Sequence, residues 1–350
     1  MTALSIGFNP NGLGLLRLIP SCACKSFCFC FRIALNFANP LNSESIKTIP
    51  PKAFPSERKA SGRLGPYIQL TKPRLSLMSV ASAMFGYFAA ATDGNSLVFV
   101  SLLIGTSLAA CGAAALNQWM EAREDGVMKR TSDRPIPAGE VKSSHALILG
   151  SVMSLLGLAV LYWGTNHHAM LLTLGVLVSY LAMYTPMKKT SPLSTEVGAI
   201  SGALPPLLGY VAATGSLYAN SLYGWILFGI LFAWQMPHFM AISWMYRKDY
   251  ADAGFKMLVH VENGFNRSAR KSLLYTIILI ALSFSPIWVQ GNDVSTWYLI
   301  LNGILSVYVL YFAVRFLSPK NQDANARSLF FSTILYLPVF MLLFALDRYL

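Results

Sequence analysis

The chain has 350 residues, of which 55% are hydrophobic and 12% charged, with mean hydropathy +0.50 and net charge +12. That apolar content exceeds what a soluble domain carries, so the chain reads as an all-α polytopic membrane protein. The positive charge suits an anionic lipid surface and calls for no nucleic-acid partner.

Residues 1–65 read as an N-terminal extension, targeting or disordered, ahead of a membrane domain over 66–350. No Asp or Glu precedes Glu44, and Arg17, Lys25 and Arg32 punctuate apolar and small residues, as in a mitochondrial transit peptide. A bacterial extension, or a start codon placed too far upstream, fits equally. Cys22, Cys24, Cys28 and Cys30 are close together, but their spacing is not a standard zinc pattern and no His accompanies them.

Nine apolar stretches follow, at 75–92, 96–117, 145–163, 168–186, 196–214, 221–246, 272–289, 296–315 and 328–346, each long enough to cross a bilayer as a helix. The fifth is the weakest, because Glu196 opens it and Pro205-Pro206 interrupt it. Cys111, inside the second, reads as a small packing residue. When successive loops are assigned to alternate sides, every Lys and Arg except Arg348 falls on one face. The positive-inside rule therefore puts the N-terminus inside and the C-terminus outside. The two longest connections between spans, 117–142 and 247–271, share that inner face and follow the second and sixth spans, which suggests an internal duplication.

The first connection opens with Asn117, Glu121 and Asp125 at intervals of four, followed by Arg130, Thr131, Arg134 and Pro135. Residues four apart share a helical face, so three oxygen-bearing side chains point the same way where a helix leaves the membrane. Hard oxygen ligands suit Mg²⁺, which commonly uses one or two carboxylates together with substrate phosphates, and nearby arginines can hold phosphate oxygens as a fork. A single loop acid is ordinarily just solvated. The ladder at a membrane boundary, with a basic run behind it, favours a site.

The sixth span ends in Trp234-Gln-Met-Pro-His238-Phe, and Trp244, Arg247, Asp249 and Asp252 follow. Gln235 and His238 in an apolar helix must find partners or face a cavity. Either a bond to a neighbouring helix or a role in a site explains His238. Asp249 and Asp252 are candidates to bind a second cation or orient the first, with solvated loop acids as the alternative. The residues themselves fit loss of diphosphate from an allylic carbon. Asn117, Glu121, Asp125, Arg130, Arg134, Lys188 and Lys189 can neutralise the departing charge, while Trp119, Tyr184, Phe232, Trp234 and Phe239 can shield the cation.

The ladder resembles the Asn-x-x-x-(Asp/Glu)-x-x-x-Asp signature of the UbiA-type intramembrane prenyltransferases. Several ordered motifs resemble the heme-farnesylating members of that superfamily: Met128-Lys-Arg-Thr131, Arg134-Pro135, Tyr184-Thr-Pro-Met-Lys188-Lys189, Gly198 to Pro206, Trp234 to Phe239, and Asp249-Tyr with Gly254. The likeness covers roughly residues 65–345. It implies nine helices around a central cavity, with Mg²⁺ bound by Asn117, Glu121 and Asp125. It assigns Asn117, Glu121, Asp125 and Asp249 to catalysis, and Arg130, Arg134, Lys188, Lys189, Tyr184, Gln235 and His238 to substrate binding. The implied reaction moves a farnesyl group from farnesyl diphosphate to a heme B vinyl group, giving heme O, with a heme A synthase downstream as partner. Only Asp249 matches the superfamily's second Asp-x-x-x-Asp site, which leaves a second Mg²⁺ open. The expected location is the bacterial cytoplasmic membrane, with the mitochondrial inner membrane as alternative. Prenylation of an aromatic or quinone precursor in the same fold, and transport of an anionic solute, are the competing functions.

Overall fold

Hydrocarbon offers the backbone no hydrogen-bond partner, so apolar stretches of this length must close their bonds internally as helices. The computed structural model describes residues 64–90, 94–218, 221–290 and 294–349, within the compact unit Ala53–Leu350. The leader through Arg63, with its four cysteines, lies outside the described residues.

The membrane helices are α1 (Pro73–Ala89), α2 (Ser96–Met120), α3 (Ser143–Gly164), α4 (His167–Met187), α5 (Ser194–Thr214), α6 (Leu222–Met245), α7 (Gly264–Ser283), α8 (Thr296–Phe316) and α9 (Gln322–Tyr349). Eight helices among the described residues are long and apolar enough to cross a membrane. The expected first span is the shortfall: α1 has 17 residues and stops at Ala89, so the expected count of nine full-length spans becomes eight with a shorter companion. At 1.5 Å per residue α1 is still about 26 Å long.

Pro205 and Pro206 do not break α5, which is continuous from Ser194 to Thr214. Carbonyls freed by an in-membrane proline are tolerated where neighbouring helices pack closely. Here α1 supplies that closeness: a Cβ at Gly86 would collide with the Pro206 carbonyl, and one at Gly209 with the Ala83 carbonyl. Bare backbone at these two positions brings α1 and α5 into direct contact. A second packing centre joins α6 to α9 through Ile230, Leu279, Tyr298, Val309 and Phe340, all essentially inaccessible.

Two local features shape one end of the bundle. The fourth helix contains a π-helical segment, Val178–Tyr184, which rotates the residues after it relative to a straight α-helix. A six-residue helix follows each of α2 and α6, at Ala122–Val127 and Arg247–Asp252, and each carries acid in its first turn.

Candidate active site

The ladder does not lie on one unbroken helix. Glu121 leaves helical geometry at φ −102° and ψ 11°, between α2 and the short helix Ala122–Val127. The i to i+4 register nevertheless survives the break, because Glu121 N–H donates to Asn117 O at 3.0 Å and Asp125 N–H to Glu121 O at 2.8 Å. All three side chains are buried, Asp125 completely.

Each rung meets a cation brought from elsewhere. Lys72 Nζ donates to Asn117 Oδ1 at 2.8 Å, and Lys188 Nζ to Glu121 Oε1 at 2.7 Å. Arg134 Nη1 reaches both Asp125 oxygens, at 2.6 and 2.5 Å. One turn on, Lys189 pairs with Glu124 at 2.7 Å. Burial acts to raise the Glu121 carboxyl, but the charge and hydrogen bond of Lys188 outweigh it and hold the group below the usual carboxylate range. Lys72 is the reverse case. Burial, with Arg134 and Lys188 adding like charge, pushes its ammonium down to about 7.

The bends that deliver these cations are local. Lys72 sits at φ 44°, in the left-handed region, immediately before Pro73. A non-glycine residue there is strained, and such strain is typically kept where it aims a functional group. Past the π-helical segment, Lys188 Nζ stands 4.4 Å above the Tyr184 ring, and Tyr184 stacks on Tyr180 at 5.6 Å. Thr185 Oγ1 lies 3.3 Å from Asn117 Nδ2.

The second connection folds over the same end. Arg130 lies over the rings of Tyr246, at 4.8 Å, and Tyr250, at 5.7 Å, and Lys256 N–H donates to Lys188 O at 2.7 Å. This brings the helix bearing Asp249 beside the ladder. The Asp249 carboxylate is half-buried and makes no ion pair or hydrogen bond among the described residues, whereas Asp252 is exposed.

The remaining two sequence candidates lie deeper along α6. Gln235 is buried and donates to Ala199 O at 3.2 Å and Leu231 O at 3.1 Å, which ties α6 to α5. His238 is sandwiched between Trp234 and Phe330, each ring 4.9 Å away, with Nδ1 at 2.9 Å from Thr333 Oγ1. Thr333 Oγ1 already donates its one hydrogen to Phe330 O at 2.7 Å, so it accepts from His238. That makes Nδ1 the protonated nitrogen and leaves Nε2 with a free lone pair.

In the sequence Lys72 counts only among the topology-setting charges, and Thr185, Tyr180 and Glu124 are not among the site candidates. The proline after Lys72 and the tyrosine repeat at 180 and 184 are the signals that mark this neighbourhood. Among the described residues no three His, Cys, Asp or Glu side chains cluster as a metal site. Two carboxylates and an amide do converge, already compensated by cations, and this donor set suits a Mg²⁺ ion whose shell is completed by phosphate oxygens and water.

Two buried carboxylates and an amide, answered by three cations, thus stand at one end of an apolar bundle of membrane helices. The chain belongs to the UbiA prenyltransferase family, whose model matches residues 79–335. It is 43% identical over 291 residues to the protoheme IX farnesyltransferase of Opitutus terrae, covering 83% of this chain and 96% of that one. It is 36% identical to the mitochondrial protoheme IX farnesyltransferase of Arabidopsis thaliana, covering 79% and 63%. Among solved structures, a digeranylgeranylglyceryl phosphate synthase matches with TM-score 0.69 at 16% identity, covering 82% of this chain and 98% of that one. A UbiA homologue from Archaeoglobus fulgidus bound to DMAPP and Mg²⁺ matches with TM-score 0.62 at 16% identity, covering 81% and 98%. These two likenesses establish the shared fold.

Proposed function

We propose that this chain is a protoheme IX farnesyltransferase, which joins the farnesyl group of farnesyl diphosphate to a vinyl group of heme B and so makes heme O. The similarity to the Opitutus protein across nearly its whole length carries the choice of heme as acceptor. The cation-paired ladder supports the diphosphate half of the reaction.

Asn117, Glu121 and Asp125 would hold Mg²⁺, which when bound supplies positive charge to the departing diphosphate. Lys72, Lys188 and Arg134 then exchange their carboxylate and amide partners for diphosphate oxygens, with Arg130 and Lys189 at the rim and Asp249 orienting the assembly. The site's cations thus bind where charge develops, without crossing water. The C1–O bond of the farnesyl group breaks, and the faces of Tyr184 and Tyr180 shield the allylic cation. The vinyl terminus forms the new bond to C1. Water then adds at the adjacent vinyl carbon and gives up a proton, completing the hydroxyethyl group. His238 Nε2, with its lone pair available, receives the heme, and Gln235 holds the wall of the chamber by tying α6 to α5.

In this reading the site lies at the inner membrane face, with the N-terminus on the same side. The bacterial cytoplasmic membrane is favoured over the mitochondrial inner membrane, and heme O passes to a heme A synthase. Residues 1–65 form an extension ahead of the catalytic domain. The test is to incubate the purified chain with labelled farnesyl diphosphate, Mg²⁺, heme B and an aromatic quinone precursor and identify the product by mass. Label recovered on heme supports the proposal. Label released only as farnesol, or transferred only to a quinone precursor, rejects it.

A further inference from the structure

We infer that Thr185 is a positioning residue that fixes which end of the Asn117 amide faces the cation site. The inference rests on the ladder reading above and goes beyond it by assigning the group that makes Asn117 an oxygen ligand.

A carboxamide presents an acceptor at one end and a donor at the other, and its terminal torsion is nearly two-fold. Asn117 is 1% exposed and Thr185 2% exposed, so water cannot correct a wrong orientation. Thr185 Oγ1 lies 2.8 Å from Tyr180 O, and a carbonyl only accepts, so the single hydroxyl hydrogen is committed there. At its 3.3 Å contact with Asn117, the hydroxyl can therefore only accept, which selects Nδ2 as the facing atom. The opposite end agrees independently. In its charged form Lys72 Nζ only donates, and it stands 2.8 Å from Oδ1. The amide oxygen is thereby held toward the Lys72 cation, and the NH₂ group, which would repel a metal ion, is held on Thr185 and turned toward Glu121.

The π-helical segment makes this arrangement available. In an α-helix a threonine hydroxyl bonds a carbonyl three or four residues back. Here Tyr180 O, five residues back, already receives the Thr185 N–H across the wider turn, and it takes the hydroxyl too. A straight α-helix would direct the hydroxyl to a carbonyl three or four residues back and so set Oγ1 in a different place relative to Asn117.

The test is Thr185→Val, which keeps the shape and removes the hydroxyl. The full chain in detergent micelles, with the non-ionising analogue farnesyl thiodiphosphate, is titrated with Mn²⁺ and free ion is read by electron paramagnetic resonance. Loss of one buried hydrogen bond should raise the Mn²⁺ Kd about five- to tenfold. Thr185→Ser should return it to within about twofold of the unsubstituted chain, since the hydroxyl is restored. In an Asn117→Asp background, both ends of the side chain are oxygen. There Thr185→Val should change the Kd by less than about twofold. Thr185→Ala serves the same comparisons if the valine variant folds poorly. A Kd unchanged by loss of the hydroxyl, no rescue by serine, or an equal effect in the Asn117→Asp background would overturn the assignment. If the unsubstituted chain itself binds no Mn²⁺, the ladder reading fails and this inference with it. If it binds Mn²⁺ but forms no farnesylated heme, only the acceptor assignment fails.

Discussion

Lys188 Nζ lies 2.7 Å from Glu121 Oε1 and 4.4 Å above the Tyr184 ring, so one ammonium joins the end of the fourth helix to the break after the second. Glu121 is only 4% exposed, so its charge depends on that partner. Removing one member of a buried pair typically costs about 3–5 kcal/mol, because the other charge is left uncompensated. Lys188→Met should therefore lower thermal stability sharply. Adding Glu121→Gln to it should restore most of that stability while turnover stays depressed. Unfolding midpoints and product formation, measured on the same preparations, separate the two effects. Recovery of activity along with stability would show that the pair is purely structural.

Asp125 is fully buried and held through both oxygens by one guanidinium nitrogen of Arg134. Asp125→Ala removes a ladder oxygen, and we expect turnover to fall by about a hundredfold or more while the spans remain folded. Arg134→Lys should also be damaging, since a compact ammonium does not reproduce a planar fork toward diphosphate. Near-normal turnover in a well-folded Asp125→Ala protein would exclude the carboxylate from the reaction.

The parts of this site that were legible in the sequence are those that repeat at short range. The four-residue spacing of Asn117, Glu121 and Asp125 is visible without a fold, and hydrogen bonding kept that register even where the helix broke. The spans were legible because hydrocarbon imposes a minimum apolar length, and the same reasoning overextended α1, whose helix ends at Ala89. Pairings made in three dimensions were hidden. Lys72 meets Asn117 across 45 residues and Thr185 meets it across 68, and no periodicity encodes either contact. The π-helical segment was hidden as well, because an apolar stretch reads as helix whichever hydrogen-bond register it adopts. Arg134 and Lys188 were read as phosphate ligands, and the bundle shows them paired with the ladder's carboxylates.

His238 and Asp125 belong to different halves of the proposed reaction, which predicts a double dissociation. The His238 ring lies between Trp234 and Phe330, and its Nε2 lone pair is left available by the bond to Thr333. His238→Ala should weaken heme binding, read as loss of the Soret shift on titration, and leave farnesyl diphosphate affinity within about twofold. Asp125→Ala should do the opposite. If both substitutions impaired only diphosphate binding, His238 would have no part in holding the acceptor.

Burial and neighbouring cations push Lys72 down to about 7, so at pH 8 roughly a tenth of it is charged before substrate arrives. A bound diphosphate stabilises the ammonium and raises its pKa. Binding at pH 8 should therefore take up close to one proton, whereas binding at pH 6 should take up little. Calorimetry of Mg²⁺-saturated farnesyl diphosphate binding in buffers of different ionisation enthalpy measures this directly. Lys72→Met should abolish the uptake and weaken affinity about tenfold, the scale of one charge-assisted contact. Equal proton uptake in that variant would assign the proton to another group.

Topology is tested at two exposed glycines. Gly126 lies in the short helix after α2, and Gly94 in the connection between α1 and α2. A Cβ at Gly126 would come no closer than 3.8 Å to Pro137, and one at Gly94 no closer than 3.9 Å to Tyr87, so both positions accept a cysteine. In a background lacking Cys22, Cys24, Cys28, Cys30 and Cys111, the positive-inside assignment puts Gly126 inside and Gly94 outside. An impermeant thiol reagent applied to intact cells or sealed right-side-out vesicles should label Gly94→Cys alone, and inverted vesicles should label Gly126→Cys alone. Asn292, on a later outer loop, lies outside the described residues, which makes Gly94 the better-defined reporter. Labelling of both cysteines from one side would mean that α2 does not cross the bilayer. Labelling of Gly126→Cys from the outside would take the ladder off the inner membrane face.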